Sequence, residues 1–240
     1  EKVALTPELI EQMKAVNIKM NQDGMRVITV AQKTIESDTI RISDENNLTI
    51  LGFIGFLDPA KESAITAISS LHAHGVTVKV LTGDNAIVAQ KVCADVGIDA
   101  EHYLLGSDID GMSDAELTEQ AENLHLFAKL NPMQKERVIS LLKKKGHTVG
   151  FMGDGINDAP SLRTADVGIS VDTAADITKD ASTIILLEKS LQVLEIGVQE
   201  GRSVFINMMK YIKITLSSNF GNVFSILIAS AFLPFLPMLS

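Results

Sequence analysis

Short apolar runs alternate with stretches of helical spacing over most of the chain. The apolar runs are rich in β-branched residues, which favours strands. The predicted strands are Met25–Ala31, Thr49–Leu57, Val76–Leu81, His147–Met152, Val167–Val171 and Thr183–Leu187. The predicted helices are Lys61–His74, Ala86–Val96, Ser113–Glu122, Pro132–Lys145 and Asp158–Ala165. Near-continuous apolar runs suit strands buried on both faces, so this order predicts an α/β fold with a parallel sheet. Ligands of such sheets bind at the carboxyl ends of the strands.

Residues 1–48 follow a different pattern. Thr6 followed by Pro7 predicts the start of a helix that runs to about Met20, and Gly24 predicts a turn into a strand. One helix and one or two strands cannot bury a core of their own. We therefore expect this segment to be the end of a second domain whose beginning is absent.

The C-terminal part of the chain carries no charge from Ile214 to Ser240. Within it, Val223–Leu239 is almost purely apolar, and a bilayer is crossed by about 20 apolar residues in a helix. This predicts a transmembrane helix that is broken near Pro234 and Pro237. The alternative is a buried core helix of a soluble protein, which the lack of a polar face disfavours. The C-terminal position excludes a signal peptide.

Composition agrees with a chain that meets two solvents. The 240 residues include 21 Lys+Arg and 30 Asp+Glu, a net charge of −9, and the mean hydropathy is +0.21 although 21% of residues are charged. The acidic balance argues against nucleic acid as a partner, because phosphate backbones attract basic surfaces. The single cysteine, Cys93, excludes an internal disulfide framework and fits a reducing compartment.

The strongest chemical signal is the segment Gly153–Pro160 (GDGINDAP), which follows a predicted strand and opens a helix. Its glycines allow a sharp turn and a close approach to a ligand. Asp154 and Asp158 are four residues apart and would place two carboxylates near one hard cation such as Mg²⁺. The alternative is an ordinary turn with an aspartate N-cap.

Two further segments carry possible phosphate ligands. Thr82–Asn85 (TGDN) follows a predicted strand, and its hydroxyl and backbone N–H groups suit phosphoryl oxygens, although a turn with an N-cap explains it equally well. Lys135, in Asn131–Lys135 (NPMQK), begins a predicted helix. Such a lysine is usually a solvated charge, but in a phosphate site it neutralises developing negative charge.

Taken in chain order, the segments Thr82–Asn85, Asn131–Lys135 and Gly153–Pro160 resemble the haloacid dehalogenase superfamily. More narrowly, they resemble the phosphorylation domain of the P-type ATPases, which pump cations, and the resemblance covers essentially the whole chain. Asp58–Lys61 (DPAK) is similar to that family's hinge motif, Asp-Pro-Pro-Arg, but its lysine lacks the bidentate fork of arginine. Gly24-Met25-Arg26 is similar to a segment of the nucleotide domain, although Arg26 alone would suit a solvated strand position.

The resemblance implies a role for each residue. Thr82, Gly83 and Asp84 belong to the loop that holds the phosphoryl oxygens, and Lys135 contacts the phosphoryl group and the phosphorylated aspartate. Asp154 binds the catalytic Mg²⁺, and Asn157 and Asp158 complete that site. Arg26 reaches ATP. The implied chemistry is phosphoryl transfer, in which positioning and charge neutralisation dominate.

One expected part is missing from the sequence. The family's nucleophile lies in Asp-Lys-Thr-Gly-Thr, which does not occur here; the nearest segment, Ser37-Asp38-Thr39, lacks the pattern. The family's Lys-Gly-Ala nucleotide segment is also absent. We therefore expect a piece of a longer pump that cannot form the aspartyl-phosphate alone. Its expected parts are the end of a nucleotide domain (1–48), a phosphorylation domain (49–200) and a stalk with a transmembrane helix (201–240).

The residues in the predicted membrane segment help to indicate which ion is transported. Asn219 and Asn222 lie three apart on one helix face, inside the uncharged stretch. Polar groups at membrane depth line an ion path or a helix interface. The run Ser217–Asn222 (SSNFGN) resembles the bacterial magnesium-transporting P-type ATPases, whereas calcium pumps tend to have an acidic residue at Asn222. A neutral amide suits Mg²⁺, which dehydrates reluctantly.

The resemblance thus implies a fragment of an ATP-driven pump that imports Mg²⁺. The implied location is the bacterial inner membrane, in a multi-pass protein with residues 1–210 cytoplasmic. The implied partners are the bilayer, ATP, the transported cation and the rest of the pump, and nucleic acid is not among them. A pump for another divalent cation such as Ca²⁺, or a catalytically silent fragment, is the alternative. A soluble phosphatase of the same fold is disfavoured by the missing nucleophile strand and the apolar helix.

Overall fold

Helices and short strands alternate along residues 3–35, 41–57 and 59–233, which the computed structural model describes. The helices are α1 (Pro7–Gln22), α2 (Glu62–Ala73), α3 (Ala86–Asp95), α4 (Gly106–Gly111), α5 (Asp114–Asn123), α6 (Pro132–Lys144), α7 (Ala159–Thr164), α8 (Asp176–Ala181) and α9 (Leu191–Phe232). The strands are β1 (Met25–Gln32), β2 (Thr49–Leu57), β3 (Val80–Leu81), β4 (Tyr103–Leu105), β5 (Leu126–Ala128), β6 (Gly150–Met152), β7 (Val167–Val171) and β8 (Ile184–Leu186). Short 3₁₀ turns cover Ile42–Asp44 and Ile156–Asp158.

Two parallel three-stranded sheets form the centre of this fold. Their strand orders are β3-β5-β4 and β6-β7-β8, and helices connect the successive strands. In the second sheet Ile169 of β7 pairs with Met152 of β6 and with Ile184 of β8. The loops after β6 and β8 therefore leave the same edge of the sheet, on either side of β7. This arrangement confirms the predicted α/β fold with parallel strands.

The core lies on both faces of β5, because neighbouring strand residues point to opposite sides. Phe127 belongs to a buried cluster with Leu117 and Val138, whereas Leu126 belongs to a second cluster with Ile68 and Cys93. Burial raises the pKa of the Cys93 thiol to about 11. Alternation along three residues thus gives each face of the sheet its own layer of helices.

The strand β2 does not belong to a parallel sheet, contrary to the expectation from its apolar run. It pairs antiparallel with β1, from Met25 opposite Leu57 to Gln32 opposite Thr49, with a register shift after Val30. Within α1, β1 and β2, Asn21 has the one buried side chain. These three elements agree with the expectation that the N-terminal segment buries no core by itself.

The predicted strand Val76–Leu81 is wrong over its first four residues. The backbone N–H of Val76 donates to Leu71 O at 2.9 Å and so closes the end of α2. The parallel ladder starts at Val80, because the neighbouring strand begins at Leu126. The predictions at residues 147–152 and 183–187 are likewise longer than β6 and β8.

Close contact between α7 and β7 supports the loop that connects β6 to α7. A Cβ on Gly168 would lie 2.4 Å from the carbonyl oxygen of Leu162, so the helix backbone touches the strand directly. At the start of β6 the carboxylate of Asp166 accepts a hydrogen bond from Val149 N at 2.9 Å and pairs with Lys143 at 3.1 Å. Those two contacts lower the pKa of Asp166.

The chain divides into two compact units, Glu1–Gln192 and Val193–Ser240. The helix α9 begins at Leu191, ten residues before the expected stalk at 201–240, and it continues without a break to Phe232. It has no buried residue, and among the described residues it is the one helix long and apolar enough to cross a membrane. The predicted break near Pro234 and Pro237 lies outside the described residues.

Candidate active site

The GDGINDAP loop leaves the carboxyl end of β6 and folds around the side chain of Asp158. The backbone N–H of Gly153 donates to Ile169 O at 3.1 Å, which holds the start of the loop on β7. A Cβ on Gly153 would lie 2.8 Å from Cβ and Oδ2 of Asp158, so glycine is required there. The carboxylate also accepts a hydrogen bond from Gly155 N at 3.3 Å. Asp158 stands at the N-cap of α7 but makes no side-chain capping bond.

Lys135 reaches this loop from α6. That helix is fixed by a capping box, in which Asn131 accepts from Gln134 N and Gln134 accepts from Asn131 N, each at 2.9 Å. Lys135 Nζ then lies 2.8 Å from Asp158 Oδ1, and the two side chains are 14% and 15% exposed. The structure therefore joins two of the predicted site residues in a largely buried ion pair.

The second carboxylate of the loop has a different partner, which the sequence analysis missed. Asp154 Oδ2 lies 2.5 Å from Nζ of Lys189, and these side chains are 54% and 59% exposed. Lys189 follows β8, so its turn leaves the same sheet edge as the loop after β6. That place after the last predicted strand was the available signal, since Lys189 belongs to none of the motifs.

The TGDN loop leaves the end of β3 in the other sheet. Its backbone is held by Thr82 N on Phe127 O and Leu130 N on Thr82 O, both at 2.9 Å. The Thr82 hydroxyl donates to Asp84 Oδ2 at 3.2 Å and accepts from Asp84 N at 3.0 Å. Gly83 is exposed between them. To hold a phosphoryl oxygen, the Thr82 hydroxyl must turn away from Asp84.

The expected N-cap of this segment is also present. Asn85 accepts a hydrogen bond from Ile87 N at 2.9 Å and caps α3. The cap explains Asn85 but leaves Thr82 and Gly83 unexplained, since neither contributes to it.

The remaining predicted residues are more dispersed. Arg26 on β1 lies 3.7 Å from Asp84, an exposed pair of the kind that contributes about 0–1 kcal/mol. Asn157 is exposed in the 3₁₀ turn of the loop. Asn219 and Asn222 are exposed on α9, in the second unit. Asp58 of the expected hinge motif is outside the described residues, but Lys61 donates to the carbonyl oxygen of Lys189 at 3.2 Å.

Thr178 supports the loop from below and was not predicted. Its hydroxyl is fully buried and donates to Gly155 O at 3.1 Å, so α8 is bonded to the middle of the loop. No feature of the sequence DITKDA indicates this role, because one short helical turn shows no apolar face.

The loop offers two carboxylates, Asp154 and Asp158, whose oxygens are ligands of the kind that Mg²⁺ binds. The described residues contain no group of three or more His, Cys, Asp or Glu side chains that would enclose a metal. Mg²⁺ typically binds one or two carboxylates and completes its shell with waters and phosphate oxygens. In this structure both carboxylates are paired with lysine ammonium groups, Asp154 with Lys189 and Asp158 with Lys135. The donor set thus fits the ion.

Comparison with known proteins gives the family. The model of the haloacid dehalogenase-like hydrolases matches residues 7–166. The chain belongs to the haloacid dehalogenase-like hydrolases. This haloacid dehalogenase-like chain is also 58% identical over 240 residues to a magnesium-transporting P-type ATPase of Salmonella typhimurium, covering 99% of the chain and 26% of the relative. A protein of the same description from Escherichia coli K12 is 57% identical over 242 residues, covering 100% and 27%.

More distant matches include a calcium ATPase and a zinc-transporting ATPase. An endoplasmic reticulum calcium ATPase of Aspergillus fumigatus is 30% identical over 246 residues, covering 96% of this chain and 25% of that protein. A crystal structure of a zinc-transporting PIB-type ATPase in its E2.Pi state shares the fold with a TM-score of 0.64 at 24% identity, covering 91% and 30%. The resemblance to magnesium-transporting P-type ATPases is confirmed, and the haloacid dehalogenase-like chain spans about a quarter of the length of the relatives.

Proposed function

We propose that this chain is the phosphorylation-domain part of an ATP-driven P-type pump that imports Mg²⁺. One structural observation carries the proposal: Lys135 and Asp158, from two separate motifs, meet as a shielded ion pair at the carboxyl edge of a parallel sheet. Identity of 58% to magnesium-transporting ATPases, against 30% to a calcium ATPase, supports Mg²⁺ over Ca²⁺ as the cargo.

The proposed chemistry is phosphoryl transfer through an aspartyl-phosphate. The Lys135 ammonium neutralises negative charge that develops on the phosphoryl group, while Thr82 and Gly83 hold its oxygens. Asp154 and Asp158 bind Mg²⁺, which supplies further charge neutralisation when bound, and Asn157 completes that site. Asp84 orients the Thr82 hydroxyl between turnovers, and Arg26 contacts ATP. The nucleophile is an aspartate of the pump outside these 240 residues.

The proposed organisation assigns 1–48 to the nucleotide domain, 49–200 to the phosphorylation domain and 201–240 to stalk and membrane helix. Residues 1–210 are then cytoplasmic in a multi-pass protein of the bacterial inner membrane. Asn219 and Asn222 face the ion path. Support for this part comes from the length and apolar character of α9 and from the relatives, which are named as transporting ATPases.

Growth rescue tests the proposal. The complete pump containing this segment is expressed in bacteria that lack magnesium transporters, at low external Mg²⁺. We expect the unaltered pump and the surface control Lys14→Met to restore growth equally. We expect Lys135→Met to abolish rescue and Asn222→Ala to weaken it. Undiminished rescue by Lys135→Met would remove this lysine from the chemistry, and rescue of calcium but not magnesium uptake would favour the calcium pump.

The isolated chain gives a second test. Incubated with labelled ATP, it is expected to take up no acid-stable, hydroxylamine-sensitive label, because the aspartate nucleophile is elsewhere. Appearance of that label would show that the nucleophile lies within these 240 residues.

A further inference from the structure

The two carboxylates of the GDGINDAP loop have lysine partners of very different accessibility. Lys135 and Asp158 are 14% and 15% exposed, whereas Lys189 and Asp154 are 59% and 54% exposed. An exposed ion pair is screened by water and contributes little, so it exchanges readily, while a shielded pair is costly to break. The counter-ion of Asp154 is therefore easier to replace than that of Asp158.

Several contacts hold in place the turn that carries Lys189. Its carbonyl oxygen accepts from Lys61 Nζ at 3.2 Å, and the next residue, Ser190, donates its N–H to Glu188 O at 2.8 Å. Leu191 packs against the buried cluster around Leu126. The turn is thus anchored on both sides of Lys189, although the side chain itself is solvated.

Lys189 and a Mg²⁺ ion would compete for the same carboxylate oxygen of Asp154. Lys189 Nζ lies 2.5 Å from Oδ2 of Asp154, and no other described residue donates a hydrogen bond to this carboxylate. A Mg²⁺ ion on the same oxygen would sit at about 2.0–2.1 Å, so the ammonium and the ion cannot share it.

We propose that Lys189 is the resident counter-ion of Asp154, which Mg²⁺ must displace, so that this lysine sets the Mg²⁺ concentration at which the site fills. The inference rests on the proposed function, in which Asp154 is a magnesium ligand. Lys189 lowers the affinity of the site by competing with the ion for Asp154.

Binding of Mg²⁺ to the full chain in detergent micelles tests this without any turnover. The ion is titrated while the amide resonances of Gly153 and Gly155 are followed by NMR. We expect Lys189→Met to tighten the apparent Kd about two- to five-fold, as expected from the small contribution of an exposed pair. The control Lys14→Met, which removes one charge from an ion pair 63% and 72% exposed on α1, leaves the Kd unchanged.

Two outcomes separate this inference from the proposed site. If Asp154→Asn abolishes the shifts while Lys189→Met binds like the unaltered chain, the displacement idea is wrong and the site stands. If Asp154→Asn binds Mg²⁺ normally, the site itself is wrong. A measurement on the unaltered chain does not depend on a variant folding: saturation with Mg²⁺ should shift the Lys189 side-chain resonances and leave those of Lys14 in place. Unmoved Lys189 resonances at saturation overturn the inference.

Discussion

The shielded pair between Lys135 and Asp158 is expected to stabilise the fold as well as to serve the site. At 2.8 Å the gross Coulomb attraction is about 6 kcal/mol for an effective dielectric constant of about 20, and desolvation offsets most of it. Lys135→Met keeps the stem and removes the charge, leaving Asp158 with the long hydrogen bond from Gly155 N. Because both side chains retain some solvent contact, we expect a loss of about 2–3 kcal/mol, below the cost of about 3–5 kcal/mol for full burial.

Tyrosine fluorescence offers a clean measurement of this loss. The chain has two tyrosines and no tryptophan, so a Tyr211→Phe background leaves Tyr103 on β4 as the single reporter of the parallel-sheet core. Unfolding by urea in detergent micelles is compared for Lys135→Met, Asp158→Asn and the double variant. The double variant removes the stranded charge, so we expect a coupling energy of about 1.5 kcal/mol or more.

The exposed pair of Lys14 with Glu11 on α1, 2.9 Å long against 2.8 Å for the Lys135 pair, is the matched control. Its cycle should give about 0.5 kcal/mol or less, the usual value for exposed helix pairs. Equal coupling energies for the two cycles would refute the argument that burial makes the Lys135 pair stronger.

Two further predictions concern packing and pH. Gly168→Ala should destabilise the chain by about 1–3 kcal/mol in urea, since its Cβ meets the Leu162 carbonyl oxygen at 2.4 Å, whereas Gly150→Ala, with its nearest atom at 3.8 Å, should cost much less; equal losses would contradict the contact. Cys93 should react with a thiol reagent at pH 8 only on unfolding. Because its folded pKa of about 11 exceeds the ordinary 9.0, stability should fall as pH rises between those values, and a Cys93→Ala variant should lack that slope.

Sequence patterns predicted those elements whose apolar run is matched by a neighbour of similar length. The strand Val167–Val171 was predicted to the residue because β7 is the central strand of its sheet and is buried over most of its length. The strand β5 was missed, since three apolar residues between His125 and Lys129 are too short to show a period. The predicted strand Val76–Leu81 is too long at its start, because pairing begins only where the neighbouring strand β5 begins, at Leu126.

The candidate site also contains one contact that the motifs indicated and one that they did not. The meeting of Lys135 with Asp158 agrees with the implied common site, because both residues lie in motifs with a recognisable wording. Lys189 lies outside any motif, and its contact with Asp154 depends on two loops 35 residues apart leaving one sheet edge. Such a contact follows from sheet order, which the sequence pattern did not contain.

The unbroken helix α9 has a geometric consequence. Its 42 residues, at about 1.5 Å each, make a rod of about 63 Å, roughly twice the hydrocarbon thickness of about 30 Å. Residues 191–232 contain no proline, which is one cause of sharp kinks in helices. Asn219 and Asn222 therefore lie about 42 and 47 Å along one continuous helix from Leu191. In the proposed pump, this helix would connect the turn that carries Lys189 to the apolar segment that carries Asn219 and Asn222 without a change of secondary structure.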